Sequence, residues 1–304
     1  MQNRFFSMAE KIWSGKTQGG AFGQKSIYYY FRYGSLRVIY GLLIFVIPFY
    51  MIFSRKGYRA AAWYAKNILR LKSWKIPFFI FRNFYAFGKV FLDRFAIFGN
   101  PNRKFRFTIE NNHIFMELLH QPQGFLIVSA HLGNYEILSY SFKQVEKTIY
   151  PILYGQEAEV FQKFRTHLFQ QNNLKPIVLT NDGSHIFEIN NALKNGGIVS
   201  VPADRSMGNT KSFEIAFLGK PALFPAGIFH VAATFHVPVL TMFAVKESYR
   251  HYKIYIQKLP HPTETTHEQK ARSLCNEFVK SLEKTLLQYP EQWYNFYPFW
   301  EEQK

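Results

Sequence analysis

The chain has 304 residues, enough for one large domain or two, and 19% of them are aromatic. A single cysteine excludes an internal disulfide framework and a cysteine-based metal cluster, and it fits a reducing compartment. The whole net charge of +17 lies in the first third, because residues 1–106 hold 19 basic and 2 acidic residues while residues 107–304 hold 18 of each. A basic, aromatic-rich segment is typical of binding to nucleic acid or to an anionic membrane surface.

The most apolar stretch lies in the same third, at residues 38–53 (VIYGLLIFVIPFYMIF), and it favours the membrane. It is shorter than the roughly 20 residues of a comfortable transmembrane helix, and Pro48 interrupts it. Basic residues flank it on both sides, so charge gives no orientation. Three interpretations stay open: a short single membrane span, a re-entrant or interfacial helix, and a buried core helix.

Residues 58–98 have a helical pattern in which aromatic residues alternate with Lys and Arg, and Pro77 is the expected break. The turn residues at 99–102 mark a boundary. We therefore predict a basic, hydrophobic, helical membrane-associating region over residues 1–100 and a catalytic domain over residues 101–304.

From residue 105 onward, predicted strands and helices alternate. The predicted strands cover residues 105–110, 125–129, 148–153, 176–179, 198–202, 213–217, 237–244 and 253–257, the last as an edge strand. The predicted helices cover residues 137–144, 158–172, 185–194, 226–236 and 264–289, and residues 114–119 fit a helix or a strand. This order predicts an α/β fold with one mixed β-sheet flanked by helices.

The most informative segment is FLIVSAHLGNYE, residues 125–136, in which an apolar strand stops just before His131. Open α/β sheets place their chemistry at the carboxyl ends of such strands. Residues five apart point in different directions on one helix, so His131 and Glu136 meet only if the histidine lies in the turn before it. Glu136 would then hold one ring nitrogen while the other takes a proton from a substrate hydroxyl. The alternative is a histidine that is merely packed in the turn.

The form HLGNYE resembles the late acyltransferases of lipid A biosynthesis, within the glycerolipid acyltransferase superfamily, whose first motif is His, four residues, then Asp or Glu. The resemblance implies that His131 is the catalytic base and Glu136 its orienting acid, with Asn134 of the same turn among the substrate-binding residues. It also implies direct transfer from an acyl thioester, with no cofactor and no metal.

Two further residues match family positions by the same resemblance, and Arg205 is a third candidate for substrate binding. Asp204 lies in IVSVPADRSMG, where the family has an acidic block, and it could support the histidine site or organise the acceptor. Arg205 follows it, where many members of the family carry another polar or acidic residue. Arg165 matches an arginine on the helix after the second motif strand, and its planar fork suits phosphate or carboxylate. The alternatives are a turn-forming aspartate and a solvated helix arginine. The C-terminal PEQWYNFYPFW resembles a family signature, which we interpret as an aromatic closing segment without chemistry.

Together these features predict an O-acyltransferase on the cytoplasmic face of the inner membrane. The expected partners are acyl-carrier protein (or acyl-CoA) as donor, anionic membrane lipid, and a lipid A precursor as acceptor, with no nucleic acid. Two alternatives remain. The first is the same chemistry on another acceptor, such as an aminolipid or a pigment. The second is a catalytically silent membrane- or lipid-binding protein.

Overall fold

The computed structural model describes residues 34–99, 104–138, 146–153, 173–180, 183–205 and 210–300. Its helices are α1 (Leu36–Phe53), α2 (Arg55–Trp63), α3 (Ile76–Gly99), α4 (Asn112–His120), α5 (Ser184–Lys194), α6 (Gly227–Phe235) and α7 (His267–Gln288). Short turns of π-helix or 3-10 helix cover Tyr64–Ile68, Ser73–Lys75, Tyr135–Ile137 and Pro290–Gln292.

The strands are β1 (Arg106–Glu110), β2 (Phe125–Ser129), β3 (Ile149–Leu153), β4 (Ile177–Val178), β5 (Ile198–Pro202), β6 (Ser212–Phe217), β7 (Lys220–Pro225), β8 (Val239–Ser248) and β9 (His251–Lys258). Within the described residues, seven of them form one sheet in the order β1-β9-β8-β2-β5-β3-β4. All neighbours pair in parallel except β8 and β9, which are antiparallel. The prediction of a mixed sheet flanked by helices is confirmed.

One prediction about the strands is wrong, and one strand was missed. The strand predicted at residues 253–257 as an edge lies inside the sheet, because β1 pairs in parallel with β9 and takes the edge. The strand β7 was not predicted at all. It pairs with β6 as an antiparallel hairpin, and both turn residues, Leu218 and Gly219, have positive φ, which matches the twist that two-residue hairpins require.

The predictions for four helical segments had different outcomes. The ambiguous segment at 114–119 is helical, and α3 begins at Ile76, so the break at Pro77 is confirmed, because proline is tolerated in the first turn of a helix. The predicted helix at 137–144 meets the short turn Tyr135–Ile137, and its residues from 139 lie outside the described part of the chain. The predicted helix at 158–172 lies wholly outside the described residues.

The central strand β2 is buried along its whole length and separates two apolar clusters. Leu126 and Val128 face the first cluster, which α5, α6, α7 and the start of α3 complete. Phe125 and Ile127 face the second, which α4, β9 and the end of α3 complete. Because α3 contributes to both clusters, it packs against the catalytic sheet, and the predicted boundary near residue 100 stays a prediction.

Helix α1 leaves most of its apolar surface exposed, and by length and composition it is long and apolar enough to cross a membrane. Three of its residues are buried: Leu36, Tyr40 and Ile47. Most of the others are exposed, with Phe45 and Phe53 at 72% and 80%. The described chain does not bury this helix as a core element, so the two membrane interpretations remain.

Candidate active site

The site lies at the carboxyl edge of two neighbouring strands. In the parallel pair β2 and β5, Ser129 is in register with Pro202, the last residue of each strand. One alanine then follows each strand, and the next residues are His131 and Asp204. The backbone N–H of Ala203 donates to the carbonyl of Ser129 at 2.8 Å, so the two chains stay paired beyond the strands. This register brings the two side chains together.

The carboxylate of Asp204 receives three hydrogen bonds. His131 donates twice, from ring Nδ1 to Oδ1 at 2.7 Å and from the backbone N–H to Oδ2 at 3.0 Å. Indole Nε1 of Trp293 donates to Oδ2 at 3.2 Å. The Asp204 side chain is buried, while 18% of the His131 side chain stays exposed. The carboxylate is therefore fixed inside the protein and the imidazole reaches the surface.

The charge state of Asp204 decides the tautomer of the histidine. Burial by itself would raise the pKa of Asp204, but the charge and hydrogen bonds of His131 and the nearby Arg205 lower it to about 2. An ionised carboxylate only accepts hydrogen bonds, so Nδ1 carries the proton. In the neutral imidazole, Nε2 then presents a lone pair, and among the described residues it has no hydrogen-bond partner. This is the arrangement of a general base.

The turn after His131 depends on a glycine. Gly133 has a φ of +65°, and a Cβ atom there would lie 2.1 Å from the carbonyl oxygen of Ala244 on β8. The backbone N–H of Gly133 donates to the carbonyl of Gln292 at 2.8 Å, and that of Asn134 donates to Ala244 at 2.7 Å. The glycine therefore allows the turn to lie between β8 and the C-terminal segment.

The structure corrects the role predicted for Glu136. Nδ1 of His131 is already taken by Asp204, and Glu136 instead forms an ion pair with Arg94 on α3, with 2.7 Å between Oε1 and Nη1. Burial is the largest single effect and by itself would lower the pKa of Arg94, but the carboxylate of Glu136 and three nearby tyrosines together raise it. Asp204 therefore orients the imidazole, whereas the sequence motif assigned that position to Glu136.

The predicted substrate role of Asn134 stays a prediction, and the structure shows which protein groups its side chain contacts. Its side chain is fully buried. The amide oxygen accepts a hydrogen bond from Nε of Arg94 at 3.1 Å, and the amide nitrogen donates to the hydroxyl of Tyr252 at 3.3 Å. Both ends of the side chain are thus engaged by the protein, and through these contacts Asn134 holds the turn in place.

Of the two arginines predicted to bind substrate, Arg205 lies in the described part of the chain and Arg165 does not. Arg205 lies beside the site, donates Nη2 to the carbonyl of Tyr294 at 2.8 Å, and has its guanidinium 5.2 Å from the ring centre of Tyr297. Its substrate role stays a prediction. Arg165 lies outside the described residues, and its predicted role also stays a prediction.

Sequence reasoning missed two residues of the site, Trp293 and Arg94. The C-terminal segment lies against the histidine turn, where Leu132 pairs with Trp293 in an antiparallel bridge and the N–H of Tyr294 donates to the carbonyl of His131 at 3.0 Å. The PEQW signature was visible in the sequence, but nothing there indicated that its tryptophan contacts Asp204. Arg94 had no signal of its own among the basic residues of the first third.

Within the described residues, no group of three or more His, Cys, Asp or Glu side chains has an arrangement that could hold a metal ion. The functional groups of the site are thus an imidazole, its carboxylate partner, and a supporting shell of Arg, Asn and Trp. Such a set suits proton abstraction from a hydroxyl group.

Comparison with known proteins gives one informative match. The family described as bacterial lipid A biosynthesis acyltransferase matches residues 79–302, which is well over half of the chain. Among solved structures, the 1-acyl-sn-glycerophosphate (LPA) acyltransferase PlsC from Thermotoga maritima is similar at 14% identity, with a TM-score of 0.42, over 83% of this chain and 98% of that one. No curated protein matches. The family match covers His131, Asp204 and the C-terminal segment, and the chain is an acyltransferase that belongs to the bacterial lipid A biosynthesis acyltransferase family.

Proposed function

We propose that the protein transfers a fatty acyl chain from a thioester to a hydroxyl group of a membrane lipid, with His131 as general base. Nε2 takes the proton of the acceptor hydroxyl, and the oxygen attacks the thioester carbonyl carbon. The carbon–sulfur bond then breaks, and the leaving thiolate takes the proton back from the imidazolium. Asp204 stabilises that imidazolium while the charge exists. Covalent attachment to the enzyme is not needed in this scheme.

One observation supports this proposal above the others. In a chain of an acyltransferase family, the Nδ1 of His131 lies 2.7 Å from the buried Asp204 carboxylate, and Nε2 points away from that bond. A base fixed in one tautomer at the carboxyl edge of a buried strand needs only a hydroxyl acceptor and an activated acyl donor. Arg205, beside the pair, is positioned to attract an anionic part of a substrate.

The membrane surface is the proposed place of this reaction. Besides the exposed apolar face of α1, Trp74 and Phe78 near the start of α3 are exposed. Basic residues stand close by in the sequence at 55, 56, 59, 72 and 75, which complements an anionic lipid surface. We propose the cytoplasmic face of the inner membrane, where an acidic acyl-carrier protein would meet the same positive field.

The acceptor we propose is a hydroxyl of a lipid A precursor, on the strength of the family. The same chemistry would serve an aminolipid or a pigment, and the mass of the product distinguishes these acceptors. No cofactor is proposed, because the acyl donor itself supplies the activated carbonyl.

The test compares wild-type enzyme with His131→Ala in membranes supplied with labelled acyl-carrier protein and a native lipid extract. His113→Ala serves as the control, since His113 is an exposed histidine on α4. We expect a labelled lipid product with wild type and with the control, and a loss of about 10³-fold or more with His131→Ala. Transfer by His131→Ala at the rate of the control would overturn the proposal. If acyl-CoA replaces the carrier protein as donor, only the donor assignment changes.

A further inference from the structure

The side chain of Arg94 contacts three consecutive residues of the turn that follows His131. Its Nη1 lies 2.7 Å from Oε1 of Glu136, and its Nε donates to the amide oxygen of Asn134 at 3.1 Å. Its guanidinium also lies 5.2 Å from the ring centre of Tyr135. The planar fork of an arginine makes these contacts together, which a lysine cannot do.

The pair formed by Arg94 and Glu136 is largely shielded from water, with 15% and 13% of the two side chains exposed. Removing one member of such a pair leaves the other charge poorly solvated. This lowers the free energy of unfolding more than removing both members does. The two residues are therefore expected to behave as one unit in mutational experiments.

The turn is held at two points, and Arg94 acts at the second. At the first point, His131 is bonded through its backbone N–H to Asp204 and through its carbonyl to the N–H of Tyr294. At the second, residues 134–136 are bonded to Ala244 on β8 and to Arg94 on α3. A shift at the second point would rotate the segment that includes His131, three residues earlier.

We propose that Arg94 is a positioning residue for the acyl transfer and that Glu136 acts through Arg94 and not through the imidazole. The acid of the His-x4-acid motif then anchors the turn to α3, and Asp204 alone orients the base. This inference rests on the proposed function, in which His131 is the base. It also gives α3 an indirect part in the chemistry, since a helix that precedes the sheet supplies the anchor of the turn.

The test uses purified enzyme and four variants: Arg94→Met, Glu136→Gln, the double variant with both changes, and Arg94→Lys. Arg82→Met is the matched control, because Arg82 lies on the same helix in an ion pair with Glu291 but is 68% exposed. The values of kcat and KM are measured across a range of pH, on protein whose thermal unfolding midpoint shows that it is folded.

We expect each single replacement of Arg94 or Glu136 to lower kcat by about 10- to 100-fold with little change in KM, since the base is misplaced and not removed. The double variant is expected to match the poorer single variant, because both changes break the same unit. The pH dependence should keep its wild-type shape, and Arg94→Lys should recover part of the lost rate. A purely structural role would lower the amount of folded protein and leave kcat of the folded fraction unchanged.

The proposal is overturned if folded Arg94→Met has the kcat of Arg82→Met, if the two single losses multiply in the double variant, or if Glu136→Gln changes the shape of the pH profile. Should Arg94→Met not fold, the double variant and Arg94→Lys provide the same comparison, because the double variant also removes the charge of residue 136 and Arg94→Lys keeps a cation on α3. A wild-type rate in His131→Ala would refute the proposed function instead, so the two failures are distinguishable.

Discussion

Two places in the molecule set a carboxylate next to a nitrogen group: the carboxyl edge of β2 and β5, and the contact between α3 and the histidine turn. The carboxylate is buried in the first and partly buried in the second. At the strand edge, Asp204 meets His131 because two parallel strands end in register. At the helix contact, Glu136 meets Arg94, which lies 42 positions earlier in the chain. The first pair follows from strand register alone, and the second depends on how the N-terminal helices pack. The comparison indicates that strand register positions the proposed base and its carboxylate, whereas helix packing positions the ion pair that anchors the turn.

The same N-terminal helices add a second buried ion pair. Asp93, the neighbour of Arg94, pairs with Lys246 of β8 at 2.6 Å and accepts hydrogen bonds from the hydroxyls of Tyr40 on α1 and Tyr252 on β9. Burial lowers the pKa of Lys246, and the carboxylate of Asp93 opposes this. This cluster joins α1 and α3 to the sheet, and it contacts the site through the bond from Asn134 to Tyr252.

The largest expected effect is a difference in kcat between variants of the two carboxylates, Asp204 and Glu136. Asp204→Asn keeps the shape of the side chain but removes the charge that fixes the tautomer and stabilises the imidazolium, so we expect kcat to fall by about 10³- to 10⁴-fold. Glu136→Gln should lose no more than about 100-fold. Steady-state kinetics on folded protein provide the measurement. Equal losses of kcat in the two variants would contradict the separate roles of Asp204 and Glu136.

An effect of intermediate size concerns the packing of the helices. Lys246→Met leaves the fully buried carboxylate of Asp93 without its cation, and we expect a loss of about 3 kcal/mol in the free energy of unfolding. Adding Asp93→Asn removes the stranded charge and should restore part of that loss. Denaturant unfolding of the purified protein measures both. A double variant less stable than Lys246→Met would contradict a buried ion pair.

The smallest effect is a dependence on pH. Because the pKa of Asp204 is lowered from 3.8 to about 2 in the folded protein, its charge favours folding above the ordinary value, and this contribution is lost as the pH falls from about 4 to about 2. It amounts to about 2 kcal/mol. The difference in unfolding free energy between wild type and Asp204→Asn should shrink by that amount across this range. A constant difference would mean that Asp204 is not held in its charged form.

Much of the fold and the position of His131 at the end of a strand were predictable from the sequence, because apolar strands and alternating helices have strong local patterns. The contact between His131 and Asp204 could also have been predicted. FLIVS-Ala-His and IVSVP-Ala-Asp have the same spacing, and in parallel strands such residues end side by side. Glu136 seemed the natural partner because it is near in sequence. Arg94 was not predictable, since its position depends on long-range packing of α3. The strand β7 was hidden by its turn residues and prolines.

The most direct test of the central claim, that Asp204 and not Glu136 holds the imidazole, is to observe the proton on Nδ1 of His131. Nuclear magnetic resonance of enzyme labelled with ¹⁵N-histidine reports this proton through its bond to the carboxylate, and His131→Ala assigns the signal. We predict that the signal persists in Glu136→Gln and is lost or strongly shifted in Asp204→Asn. A signal that survives in Asp204→Asn and disappears in Glu136→Gln would contradict the account.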